Sequence, residues 1–122
     1  MQVKNFELTE EIGDKLPKAS GYKILVACPQ IEETTKGGII IAEELRAKES
    51  TASIFGYVVQ MGKDAYKDND KFPSGPYCEI GDWVIFRSYS GTRFKIDGQE
   101  FRLLNDDSIE AVVEDPRGIE RA

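Results

Sequence analysis

The sequence predicts an all-β domain, a small barrel or sandwich. Three observations carry that expectation: five or six short β-rich runs, turn signals between them, and helical spacing confined to the amino-terminal arm. At 122 residues the chain has material for one domain with a single core, supplied by five Tyr, six Phe, one Trp and many Val and Ile.

In residues 1–20, Leu8, Ile12 and Leu16 recur at a spacing of four, one helical face, interrupted by Gly13 and Pro17. This predicts a short helix or an irregular arm. The domain proper is expected over residues 21–115. Its first strand is the β-rich run Tyr22 to Cys28, closed by Pro29, and its second is Ile54 to Met61, ended by Gly62. Residues 63–78 carry Pro73, Gly75 and Pro76 and read as a loop. Gly81-Asp82 then turns the chain into a strand over Trp83 to Arg87.

Asp97-Gly98 is a two-residue type I′ turn signal. The register it sets places Lys95 opposite Glu100 and Phe94 opposite Phe101, an opposite-charge pair and an aromatic pair that both favour it. Phe94, Ile96, Phe101 and Leu103 then share one face, while Arg93 opposite Arg102 is a mild dissent. A last strand is expected over Ile109 to Val113, stopped by Asp115-Pro116, with residues 116–122 as a tail.

One segment has no evident use in folding. In residues 32–53, Lys36-Gly37-Gly38-Ile39-Ile40-Ile41 sits between Glu32-Glu33-Thr34-Thr35 and the polar run from Glu43 to Ser50. An apolar hook on a polar, glycine-hinged tether suggests a part that docks into another protein's groove. The competing assignment is that Ile39 to Ile41 form a buried strand of the domain, and pattern alone does not separate the two.

The composition excludes several classes of function. A net charge of −6 and a pI near 4.7 give a field that repels nucleic acid and anionic membrane. Two cysteines and no histidine fall short of a four-ligand structural zinc site. Cys28 and Cys78 are expected as free thiols in a reducing compartment, with a buried disulfide as the alternative. No apolar run approaches spanning length and the amino terminus lacks a signal-peptide core, so a cytoplasmic protein is expected. Without histidine there is no Ser-His or Cys-His pair. There is no phosphate-cradling Gly-x-x-x-x-Gly-Lys motif, and the adjacent carboxylates lie in polar stretches. No catalytic residue, metal ligand or cofactor is expected. Tyr57, Trp83, Phe86, Tyr89 and Phe94 could stack bases, but apart from Arg87 and Arg93 no basic residues cluster between them.

The run Gly37-Gly38-Ile39-Ile40-Ile41, followed by Ile54-Phe55-Gly56-Tyr57-Val58-Val59, resembles the GroES co-chaperonin family. Glu79 to Phe86, Tyr89 to Gly98 and Asp106 to Glu114 are similar to three further segments of that family, in the same order. The resemblance implies a small GroES-like β-barrel with a long mobile loop. It also implies a homoheptameric ring in which first and last strands of neighbouring subunits pair. On this chain those are Tyr22 to Cys28, with Ile24, Leu25 and Val26 at the interface, against Ile109, Ala111, Val112 and Val113.

It further implies that Gly37, Gly38, Ile39, Ile40 and Ile41 bind the apical domains of a large GroEL-like chaperonin, that Tyr89 lines the chamber, and that an unfolded client is enclosed. ATP would be bound by the chaperonin. Residues 63–78, with Pro73 and Pro76, lack the roof hairpin of many members and resemble the altered roof of bacteriophage-encoded members, which would work in a host cytoplasm. The rival readings are a virion or scaffold β-protein without a chaperonin partner, a GroES-like piece of a zinc dehydrogenase, and a nucleic-acid-binding barrel.

Overall fold

A computed structural model describes residues 10–29 and 53–122. Six strands form one sheet: β1 (Lys23–Ala27), β2 (Phe55–Met61), β3 (Trp83–Ile85), β4 (Thr92–Ile96), β5 (Gln99–Asn105) and β6 (Ala111–Val113). Their order is β4-β5-β1-β2-β3-β6, and every neighbouring pair is antiparallel. The expected strands at the two carboxyl-terminal runs are trimmed: Phe86 and Arg87 leave β3, and a 3-10 turn at Asp106–Ser108 precedes Ile109.

The sheet has two apolar faces, and each is covered. The inner face gathers Ile24 and Val26 of β1, Val58 of β2, Val84 of β3 and Leu104 of β5, with Phe86 and Ile109. Strands β5 and β3, second and fifth in the strand order, thus contribute to one cluster, as they do in a sheet that curls on itself. The outer face gathers Leu25 and Ala27 with Phe101, flanked by Val59, Phe94, Ile96 and Leu103. Successive residues of β1 therefore serve opposite cores, as the two-residue period of a strand dictates.

The outer core is closed by the arm. Helix α1 (Glu10–Lys15) and the residues after it bring Ile12, Leu16 and Ala19 onto this face. A helix of this length is not stable in isolation, so its order comes from docking. Lys15 Nζ reaches Asp97 at 2.8 Å, and the Ala19 amide donates to Gln60 Oε1 at 3.1 Å.

The hairpin takes the register expected from its turn. Lys95 faces Glu100, Phe94 faces Phe101 and Ile96 faces Gln99. Asp97 and Gly98 both have positive φ, 49° and 83°, as a type I′ turn demands. The Phe94 and Phe101 rings stack at 5.7 Å. Between β2 and β3 Trp83 stacks on Phe55 at 4.8 Å and meets the Tyr57 edge at 5.2 Å.

Residues 63–78 contain no strand, in keeping with their prolines, yet they are not a solvated loop. Ala65, Tyr66, Phe72 and Cys78 are buried and join the inner core. Tyr66, Phe72 and Tyr77 form an aromatic trio with centroids 4.8–5.4 Å apart. The Tyr66 amide donates to Asp106 Oδ2 at 3.0 Å and ties the segment to the 3-10 turn. Both cysteines are buried free thiols. Among the described residues no helix is long and apolar enough to cross a membrane.

Candidate functional site

Gly37, Gly38, Ile39, Ile40 and Ile41 lie outside the described residues. What the structure gives is the two feet of the segment that carries them. On the entering side the Cys28 amide donates to the Glu100 carbonyl at 2.9 Å, and Gln99 Nε2 donates to the Cys28 carbonyl at 2.6 Å. Gln99 is itself buried. On the leaving side the Phe86 amide donates to the Ile54 carbonyl at 2.9 Å, and Arg121 Nη1 donates to Ser53 Oγ at 3.1 Å. Both feet are thus held on the sheet by backbone hydrogen bonds. Burial of the Cys28 thiol, with Glu100 adding to it, pushes its pKa up to about 12. The thiol is a small apolar plug and not a nucleophile.

The expected ring-closing residues divide into two groups. Ala111, Val112 and Val113 occupy β6, an edge of the sheet in the described chain. Ala111 and Val112 are exposed and Val113 is half-buried. Ile24, Leu25 and Val26 require a correction. They lie on β1 in the middle of the sheet, bonded to β2 on one side and β5 on the other, with no exposed surface. Their backbone groups are already paired, so the open-edge argument does not apply to them. A continuous apolar run marks a strand buried on both faces, and Ile24 to Cys28 is such a run. Ile109 is corrected likewise: it is buried in the inner core of its own subunit.

Tyr89 is 79% exposed, at the tip of the turn between β3 and β4. The Ser90 amide closes the turn on the Arg87 carbonyl at 3.0 Å, and Arg87 Nη1 donates to the Tyr89 hydroxyl at 3.2 Å. Gly91 ends the turn at φ 76°, where a Cβ would sit 2.2 Å from the Leu103 carbonyl oxygen. Only glycine fits so close an approach. Of the five aromatics that might have stacked bases, Phe86 is inside the barrel, Phe94 is in the outer core and Tyr89 is at the turn tip, so they form no common platform.

Sequence reasoning passed over Arg102. Its side chain is fully buried, on the same face of β5 as Leu104. The guanidinium lies 4.9 Å over the Phe86 ring. Nη1 donates to the Ser88 carbonyl at 2.9 Å, with the carbonyls of Ser90 at 3.3 Å and Arg87 at 3.5 Å alongside. Nε and Nη2 are buried without a hydrogen-bond partner among the described residues. Each such donor costs about 1–3 kcal/mol. Burial also pulls the Arg102 pKa below its ordinary value. The signal in the sequence was Arg102 two residues before Leu104 on an alternating strand, opposite Arg93, which pairs instead with Glu100 at 2.6 Å.

The comparisons with known proteins agree with this architecture. The family model described as Chaperonin 10 Kd subunit (Cpn10) matches residues 18–113. A protein named Co-chaperonin GroES from Solidesulfovibrio magneticus is 35% identical over 97 residues, covering 80% of this chain and 96% of its own. Proteins of the same name from Caldicellulosiruptor saccharolyticus and Tetragenococcus halophilus are each 33% identical, covering 78% and 80% of this chain and 94% and 98% of their own. Helix α1 and residues 114–122 fall outside the family match. The chain belongs to the GroES/Cpn10 family of co-chaperonins, which are not enzymes.

Proposed function

We propose that this co-chaperonin caps an ATP-driven, GroEL-like chaperonin ring by inserting Ile39, Ile40 and Ile41 between apical-domain helices, with Gly37 and Gly38 as the hinge. The observation that carries this reading is the fixing of both feet of the segment on the sheet, at Cys28 and Ile54. Tethered at both ends, an apolar hook is presented from a rigid wall. Burying each isoleucine contributes about 1.5–3 kcal/mol, and ordering the tether offsets about 2–5 kcal/mol in total. One hook then binds weakly, and several on one ring bind through effective concentration. Weak single contacts let the cap leave when the partner changes nucleotide state.

The same reading makes the assembly a ring, a heptamer as the family implies, with β6 as its open edge. Tyr89 faces the enclosed client, ATP is held by the chaperonin, and the site of action is the cytoplasm. The hairpin-free segment 63–78 favours a bacteriophage-encoded member acting in its host. Sizing chromatography with a GroEL-like chaperonin, with and without ATP, tests the reading. Co-elution only with nucleotide, lost in Ile40→Asp while the ring stays intact, supports it. Unfolding of Ile40→Asp would assign the triplet to the core and overturn it. Assembly without ATP-dependent capture would support the virion-protein alternative.

A further inference from the structure

We propose that Arg102 is a positioning residue for Tyr89: from inside the barrel its guanidinium holds the carbonyls of the turn that presents this tyrosine to the chamber. The inference rests on Tyr89 as a chamber-lining residue and adds what aims it.

The turn from Arg87 to Gly91 has few holds of its own. Its tip is exposed, and one backbone hydrogen bond, Ser90 to Arg87, closes it. Gly91 packs its backbone against Leu103 at the far end. Between these points the Arg102 Nη1 sits among the carbonyls of Arg87, Ser88 and Ser90, the residues that flank Tyr89 on both sides. A guanidinium donor fixes such oxygens in direction as well as distance. The Phe86 ring beneath it fixes the guanidinium in turn.

The arrangement is costly for the fold, because a buried charge with two nitrogens unpartnered among the described residues is a poor core residue. An unbranched apolar side chain would fill the same space over Phe86 without that cost. A residue that weakens the core while ordering an exposed turn is accounted for by what the turn does.

Arg102→Met separates the two roles. The full-length protein is assayed for melting temperature, for amide hydrogen exchange, for ATP-dependent capture by a GroEL-like chaperonin, and for refolding of guanidinium-unfolded malate dehydrogenase. The expected result is an unchanged or raised melting temperature, with exchange at the Ser90 amide faster by about tenfold or more. The Gly62 amide, bonded to Lys23 elsewhere in the sheet, exchanges as before. Capture persists, and the refolding yield falls to that of Tyr89→Ala with no further loss in the double variant. Arg102→Lys, which keeps a donor, recovers part of the Ser90 protection. Unchanged Ser90 exchange in Arg102→Met overturns the proposal, as does a rise shared equally by Gly62. An unfolded Arg102→Met beside a folded Arg102→Lys also overturns it, in favour of a purely structural charge. Should the wild type fail to bind a chaperonin while Ser90 exchange responds as expected, the turn clamp stands and the capping function falls.

Discussion

Strands β1 and β6 are both short and apolar, and they have opposite fates. β1 is bonded on both sides and gives alternate residues to two cores, so nothing of it remains to offer a neighbour. Among the described residues β6 is bonded on one side only, to β3, and shows Ala111 and Val112 to solvent. The sequences differ in a way that explains this. Ile24-Leu25-Val26-Ala27-Cys28 is apolar without interruption, which suits burial on both faces. Ala111-Val112-Val113 is set between Glu110 and Glu114, charges that keep an edge from pairing indiscriminately. Continuity of the apolar run, more than apolar content, separates a central strand from an edge strand.

The contrast can be broken most severely at Val26. Val26→Asp places a carboxylate in the inner core with no partner, and a loss on the order of 4 kcal/mol or more is expected. Urea denaturation should show either a collapsed midpoint or no cooperative transition. A folded, assembled Val26→Asp protein would mean that β1 is not a central strand.

An intermediate effect is expected at the end of β1, from Cys28. Its folded pKa is raised, to about 12, above an ordinary value near 9. Below about pH 9 both states hold the proton and the thiol adds no pH dependence. Between about 9 and 12 the unfolded chain ionises first, so stability falls as pH rises, by at most about 1.4 kcal/mol per unit from this one group. Denaturation midpoints from pH 8 to 11 should fall more steeply for the wild type than for Cys28→Ala. Parallel curves would place the thiol in contact with water.

The smallest change in stability belongs to the edge strand. Val112→Asp alters an exposed position and should shift unfolding of the subunit by no more than about 0.5 kcal/mol. Analytical ultracentrifugation should nonetheless show loss of the ring. Retention of the full assembly would remove β6 from the subunit interface.

Much of the fold was readable from the chain because local chemistry was decisive. Asp97-Gly98 admits few turn types, and its cross-strand pairs agree with one another, so the hairpin register followed. Where long-range packing decides, local pattern fails. Tyr66, Phe72 and Cys78 stand six residues apart, a spacing that is neither the 3.6 residues of a helix nor a strand pattern in a segment rich in lysine, aspartate and proline. Their burial depends on the core they fold back onto and on Asp106, forty residues away in sequence. The middle position of β1 depends on β5, which arrives some seventy-five residues later. Arg102 is charged, and charge reads as surface until the strand alternation beside Leu104 is followed strictly. The triplet proposed to dock stands out in the sequence by its polar surroundings, whereas the carbonyl clamp beneath Tyr89 exists only in three dimensions.

Trp83 lies on β3 directly across from Val113 of the edge strand β6, with Phe55 stacked beside it. The chain holds one tryptophan, so its emission comes from a single place, one strand in from the edge where another subunit would join. For the proposed ring that emission is an optical gauge of assembly, one that needs no label and leaves residues 39–41 untouched.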